Sequence, residues 1–496
     1  MLAVLAQVSE WVQPELDYHA FGPELVLVGA LVVVLLVDLL KPEGNNPLVS
    51  SLAGLGVLGA LIPVITLATD GADRAMFGGA YVVDNFSLVL KALFLVSAYI
   101  VVLMSTNYIA EGDYAEGEYY FLLLSSLLGM LLMASARDLI TVFIALELLS
   151  IPAYMLAGWR KRDLMGNEAG VKYYLMGVFA SAIMLYGMSL LFGLAGDTRL
   201  VAIGEAVSGA AGETPIVTLA IVFVIVGFAF KVSAVPFHTW APDVYQGAPT
   251  PITAFLAVAS KAAGFVALLQ VIFIAFPDRG DVVRPLMWVL AAATMTIGNM
   301  IALRQTNVIR LLAYSGVAQA GFMLAPLAVE TDLSARAVIT YLVIYAAMNL
   351  GAFAAVIGIA RKTRSAEIDS FGGLFEYAPG LTVMLSLFLF SLAGIPPLGG
   401  WLAKFVVFRS LADANTTSGY VMGAFVAVNS VIALYYYANV AREMWMKPVP
   451  DGDRTPILVP FSISAAIALS VVATFAFGVS DLATRLGDNA TFLLAF

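Results

Sequence analysis

The 496-residue chain contains no cysteine, only two histidines, His19 and His238, and few charges, with 12% of its residues Asp, Glu, Lys or Arg. The lack of cysteine excludes thiolate-held iron-sulfur clusters. A bis-histidine haem would need both imidazoles on facing helices, and His19 precedes the first apolar run. No GxxxxGK[ST] phosphate loop is present, and no GxGxxG follows a strand pattern. Whatever energy drives this protein is delivered by something else. Nor is any connecting stretch longer than about twenty residues, so there is no room for a soluble catalytic or nucleotide-binding domain.

What is present is apolar. Hydrophobic residues make up 61% of the chain, more than a soluble core absorbs. They fall in blocks that reach the roughly 20 residues a membrane-crossing helix needs. Fourteen such spans are expected, at 22-40, 48-69, 85-105, 119-136, 138-157, 170-195, 215-246, 252-276, 284-303, 308-329, 336-360, 379-408, 418-441 and 455-478. The fold class is therefore an all-α polytopic membrane protein, with residues 1-496 forming one membrane domain. The first twenty-one residues hold Glu10, Glu15 and Asp17 but no Lys or Arg, so they lack the basic start of a cleaved signal peptide, and the mature chain is expected to begin here.

Counting the span-end residues Arg284, Arg310 and Arg336 with the adjoining joints, twenty of the 25 basic residues lie in joints or tails, twelve after odd-numbered spans and eight after even-numbered ones. By the positive-inside rule this puts both termini on the outer face. The net charge of -9 then reflects acidic outer loops and not a nucleic-acid partner. The five cations inside spans, Lys91, Lys172, Lys231, Lys261 and Lys404, are all lysines, although arginine outnumbers lysine 16 to 9. Each costs about 2.5 to 3.5 kcal/mol at a helix centre on insertion scales. Arginine would hold permanent charge equally well, whereas a buried lysine can give up its proton. The pattern reads as a demand for titratable groups.

The five are not equivalent. Lys91, about six residues into span 3, is expected to snorkel to the headgroups. Lys172, at the start of span 6, has Glu168 one turn earlier and suits either a solvated ion pair or a functional role. Lys261 lies about 13 Å into span 8 among Ala and Gly, beyond easy snorkelling. Lys231 is similarly deep in span 7. Glu147 is the acidic residue near the middle of a span, and it is expected to face a cation inside the bundle.

Span 7 breaks at Pro236, five residues after Lys231, and span 12 breaks at Gly394-Ile395-Pro396-Pro397, before Gly399-Gly400 and Lys404. Proline removes a donor and frees carbonyls, near Ser233 and Ala234 in span 7. Such backbone is tolerated at membrane depth only where protein or water satisfies it. Two broken helices in corresponding positions suggest an internal repeat, with spans 4 to 8 (119-276) matched by spans 9 to 13 (284-441). Five being odd, the second copy is inverted. His238, beyond the Pro236 break, suits either a proton relay or a cap on freed carbonyls.

These residues resemble the antiporter-like membrane subunits of respiratory complex I, the proton-pumping NADH:quinone oxidoreductase, over nearly the full length. The stretch PFHTWAPDVYQGAPTP (236-251) resembles the N-type member more than the sister L and M types, as do NEAGVKYYLMG (167-177) and IPPLGGWLAKF. A lysine at 404 speaks against the M type, which usually has glutamate there, and the eighteen residues after span 14 leave no place for the lateral helix of the L type. The resemblance implies fourteen helices with inverted five-helix repeats and assigns proton-relay roles to Glu147, Lys231, Lys261, Lys404 and the shared Lys172. It also implies no cofactor in this chain, with NADH, FMN, iron-sulfur clusters and quinone handled by partner subunits. The expected partners are the neighbouring antiporter-like subunit and small hydrophobic subunits in a bacterial inner membrane. Protons would enter from the cytoplasm, charge Lys261 and pass along waters to Lys404. Two unit charges about 10 Å apart at an effective dielectric near 20 interact by about 1.7 kcal/mol, a little over one pKa unit, so movement of Glu147 relative to Lys231 would switch a poised lysine but not an unperturbed one. The alternative function is a subunit of a multi-subunit sodium/proton antiporter, which shares the Glu and Lys positions but not the N-type run of span 7.

Overall fold

A computed structural model describes residues 16-40, 47-112, 116-209 and 214-490. Glu10, Glu15 and Lys41, which entered the charge reading above, lie outside them. Among the described residues, twelve helices are long and apolar enough to cross a membrane, and two further apolar helices, Pro215–Lys231 and Pro379–Ala393, are shorter. Those two are the first halves of the broken spans, so the expected succession of fourteen is reproduced.

In chain order the helices are α1 (Gly22–Leu40), α2 (Pro47–Asp70), α3 (Asn85–Ala110), α4 (Glu116–Ser135), α5 (Leu139–Ala157) and α6 (Leu164–Ala195). Span 7 is split into α7a (Pro215–Lys231) and α7b (Trp240–Gly247), and α8 follows at Thr250–Ala275. Then come α9 (Gly280–Ala302), α10 (Val308–Leu324) and α11 (Asp332–Thr363). Span 12 is split into α12a (Pro379–Ala393) and α12b (Gly399–Asp413), before α13 (Thr417–Met446) and α14 (Phe461–Val479). A small antiparallel hairpin, β1 (Arg74–Met76) with β2 (Tyr81–Val83), joins α2 to α3. It marks one face of the bundle, the face at which the odd-numbered helices begin.

Several helices outrun their expected limits. α6 begins at Leu164 and not at 170, capped by Asp163, whose side chain accepts from the Met165 N–H. Polar residues such as Asn167 and Glu168 carry the helix past the apolar core, so Lys172 lies two turns inside α6 instead of at its start. α11 likewise runs 32 residues.

Burial identifies the centre. The apolar windows of α8 and α11 are 94% and 100% buried, against 28% for α1 and α14. α8 is not a uniform α-helix: π-helical turns at Leu256–Ser260 and Val271–Ala275 flank a regular segment, Lys261–Gln270. A π turn inserts one extra residue and re-aims the side chains that follow. Lys261 is the first of them.

Candidate functional site: a buried polar row along the two broken helices

The α7 break runs from Val232 to Thr239, with Ser233 in the left-handed region (φ 61°). Its backbone groups are satisfied partly by turn bonds, such as the Ala234 N–H to the Ala229 carbonyl at 2.8 Å, and partly by side chains. Trp240 Nε1 donates to the Phe230 carbonyl at 3.2 Å, and the Val235 N–H donates to Thr294 Oγ1 at 3.0 Å. Thus Trp240 caps the Phe230 carbonyl at this end of α7a, while the His238 ring faces the Pro236 backbone inside the break.

The α12 break follows the same logic with different residues. Gly394 takes φ 94°, a conformation open to glycine at little cost. The freed carbonyls of Leu392 and Ala393 accept from Gln319 Nε2 (3.0 Å) and Lys404 Nζ (2.6 Å). Gly400 is where backbone meets backbone, since a Cβ there would fall 1.7 Å from the Ser391 oxygen. The Gly399-Gly400 pair therefore has a packing role.

The lysines are held by neutral oxygens. Lys231, the last residue of α7a, donates to Ser150 Oγ of α5 at 2.8 Å and to the Tyr173 hydroxyl of α6 at 3.4 Å. Its stem lies on Gly264 of α8, where an added Cβ would meet Lys231 Cγ at 3.0 Å. Lys261, one turn before Gly264, donates to the Gly316 carbonyl of α10 at 2.6 Å, and its ammonium lies 6.0 Å from the Tyr345 ring centre. Lys404 lies 4.8 Å from the ring centre of Phe322, in addition to its Ala393 bond. All three are almost completely buried, and among the described residues none has a carboxylate within 4 Å.

Between Lys261 and Lys404 the row continues through neutral groups. Asn349 Nδ2 donates to the Tyr345 hydroxyl at 3.0 Å, Gln319 bonds the hydroxyls of Tyr341 and Tyr437, and Gln319 also holds Leu392 beside the α12 break. Sequence reasoning did not single out these residues. Their signal was available, because an amide in an apolar helix is costly unless paired.

Lys231 and Lys404 lie on opposite sides of their breaks in sequence, one before and one after. In space they fall on the same side. α7a descends from the hairpin face, whereas α12, an even-numbered helix, reaches that face only through its second half, α12b.

Glu147 is half-buried, and its carboxylate accepts from Ser181 Oγ of α6 at 2.6 Å; it acts on Lys231 electrostatically but makes no direct ion pair with it. The lysine instead holds Ser150, one turn further along α5 on the same face. Lys172 bridges Glu168 (2.5 Å) and Asp243 of α7b (2.7 Å), and Asp243 also pairs with Arg310 of α10 at 2.8 Å. This network lies at the face opposite the hairpin and ties the first half of the chain to the second.

Lys91 overturns the snorkelling expectation. It is fully buried and ion-paired at 2.8 Å with Glu24 of α1, itself fully buried. The stem cannot reach headgroups because α1 and the hairpin cover it. Glu24, at the start of an apolar run, gave no sign of its partner in sequence.

Comparison with known proteins places this geometry. The family model described as NADH:quinone oxidoreductase/Mrp antiporter, transmembrane, matches residues 136–432. NADH-quinone oxidoreductase subunit N of Trichlorobacter lovleyi is 38% identical over 464 residues, 93% of each chain. The protein of the same name from Brevibacillus brevis is 39% identical over 477 residues, covering 93% of this chain and 92% of its own. A chain of respiratory complex I from Thermus thermophilus superimposes with a TM-score of 0.76 at 33% identity, covering 92% of this chain and 97% of that one. A chain of the Mrp complex from Dietzia shares the fold, with a TM-score of 0.84 at 20% identity, covering 96% and 97%. With more than half the sequence inside the family model and full-length relatives well above 30% identity, the chain belongs to the antiporter-like family of NADH:quinone oxidoreductase membrane subunits, on its subunit N branch.

Proposed function

We propose that this chain translocates protons as a membrane subunit of an NADH:quinone oxidoreductase, driven by redox chemistry in other subunits. One observation carries the reading: Lys231, Lys261 and Lys404 are buried with neutral oxygen partners alone, while Lys91 and Lys172 have carboxylates. Lys261 and Lys404 bear their desolvation cost unopposed, and Lys231 is offset only by the Glu147 carboxylate acting from beyond ion-pair distance, so a modest change in a neighbouring charge decides whether each keeps its proton. Arginine could not serve, because it does not deprotonate.

The basic joints face the cytoplasm in this reading, the hairpin face points outward, and the membrane is the bacterial inner membrane. Protons enter beside Lys172 and His238, charge Lys261 and pass along waters held by Tyr345, Asn349, Gln319 and Tyr437 to Lys404. Glu147, released from Ser181, biases Lys231 from one turn away. Residues 119-276 and 284-441 form the inverted repeats in this reading, which the matched broken helices support. The neighbouring antiporter-like subunit and small hydrophobic subunits are the partners, and NADH, FMN, iron-sulfur clusters and quinone belong to other chains. The sodium/proton antiporter reading has less support, since the full-length relatives above 35% identity carry the oxidoreductase name.

The test is NADH-driven proton uptake in membrane vesicles. Lys261→Ala and Lys261→Arg are both expected to leave the complex assembled and to lower protons moved per NADH. Full pumping by Lys261→Arg sinks the titration argument. A purified single chain that alone exchanges sodium for protons in liposomes overturns the assignment to an oxidoreductase.

A further inference from the structure

The Glu24–Lys91 pair stands outside the row just described, yet it does not stand alone. Lys91 Nζ also donates to the Tyr81 hydroxyl at 2.8 Å. Tyr81 bridges through its backbone to Ala136, next to Ser135 at the end of α4, and the buried Ser135 hydroxyl faces the Tyr81 hydroxyl within hydrogen-bonding reach. One turn back, the carbonyls of Met133 and Ala134 both accept from Gln270 Nε2, each at 3.0 Å. Gln270 is fully buried, and its Oε1 has no hydrogen-bond partner. It lies on α8, nine residues or about 13 Å beyond Lys261 toward the hairpin face.

A line of buried polar groups thus leads away from the central lysine, through Gln270, the end of α4 and Tyr81, to Lys91 and Glu24. A buried ion pair is a poor stabiliser compared with apolar packing of the same shape. If its work were only to fasten α1 to α3, nothing would require the Tyr81–Ser135 hydroxyl pair and the unsatisfied Gln270 oxygen between it and α8. Polar atoms left open in a membrane interior are places for water.

We infer that Glu24 and Lys91 form a second proton-holding pair, serving the hairpin-face end of the route and linked to α8 through Tyr81, Ser135 and Gln270. This rests on the proton-translocating reading above. The step is balanced: the Lys91 ammonium gives one proton to the Glu24 carboxylate, leaving amine and carboxylic acid. The acid releases that proton to water at the hairpin face, and the amine takes another from water on the Gln270 side. Both groups return to their starting forms, and one proton has moved. Phe21, packed edge-on against the Tyr81 ring with centres 5.3 Å apart, covers the pair from the surface.

The experiment uses the assembled complex in membrane vesicles, reading its abundance, its NADH oxidation rate and the protons taken up per NADH. The double substitution Glu24→Gln with Lys91→Met removes both charges without leaving either one unpaired. It is expected to assemble and to lower the proton ratio, and Gln270→Leu and Tyr81→Phe are expected to lower it too. An assembled double variant with an unaltered ratio overturns the inference. Should the double variant fail to assemble, the two single variants decide: an unaltered ratio in both overturns it, and a lowered one supports it. Lys261→Ala in the same vesicles separates the two readings. A loss there beside a normal double variant removes only the second pair, whereas normal pumping in Lys261→Ala removes the translocation reading itself.

Discussion

Lys404 reaches back across the α12 break and donates its ammonium proton to the Ala393 carbonyl, 2.6 Å away, in place of the amide N–H that Pro397, four residues on, does not have. A side chain proposed to carry the transported proton therefore also completes the backbone. Lys404→Met removes both services. An unpaired buried carbonyl costs about 1 to 3 kcal/mol, so the variant should show lowered thermal stability of the assembled complex as well as lost pumping. Lys404→Arg can restore the hydrogen bond but cannot release a proton, so stability should recover while pumping does not. Recovery of both with arginine would contradict the relay role.

Gly400→Ala places a methyl group 1.7 Å from the Ser391 oxygen, a backbone atom that cannot step aside. Overpacking of this kind costs about 1 to 3 kcal/mol or more, and little assembled complex should be recovered. Gly380→Ala, where a Cβ meets nothing within 4 Å, should be silent in the same abundance assay.

Asp243→Asn deprives both Lys172 and Arg310 of a carboxylate at the junction of α6, α7b and α10. All three side chains are partly exposed, so each lost pair is worth about 0 to 1 kcal/mol. The deficit relative to the parent should shrink when stability is measured at high salt, because screening removes what the mutation removed. A deficit independent of salt would show that hydrogen bonding, not charge, dominates there.

His238→Gln keeps a donor but cannot titrate. With Trp240 already capping the Phe230 carbonyl, the change should leave the abundance of the complex unaltered and lower pumping. Near-normal pumping would leave His238 without a part in the proton route.

The features legible in sequence were those written in a residue's own chemistry. Pro236 and Pro396-Pro397 announced broken helices, and Lys231, Lys261 and Lys404 announced themselves by cost. What stayed hidden was set by contacts between distant segments. Lys91 looked like a snorkelling residue because its partner, Glu24, sits 67 positions earlier on another helix. Glu147 does act on the cation Lys231, but its direct hydrogen bond goes to Ser181 on the adjacent helix, which no spacing in sequence announced. The limits of α6 were misjudged because capping by Asp163 carried the helix beyond its apolar core. No residue type marks the π turns of α8, so nothing in the composition of that span distinguished it from an ordinary helix.

Those π turns have a consequence for heredity. A π turn differs from an α turn by one residue, and one residue is about 100° of rotation around a helix axis. Losing a single codon between Leu256 and Ser260 would let the turn relax to an ordinary one while leaving the helix after it in the same orientation. The identical loss within Lys261–Gln270 would swing Gln270 a quarter-turn or more away from the α4 carbonyls. The helix at the centre of the molecule is thus most tolerant of deletion beside its most important side chain.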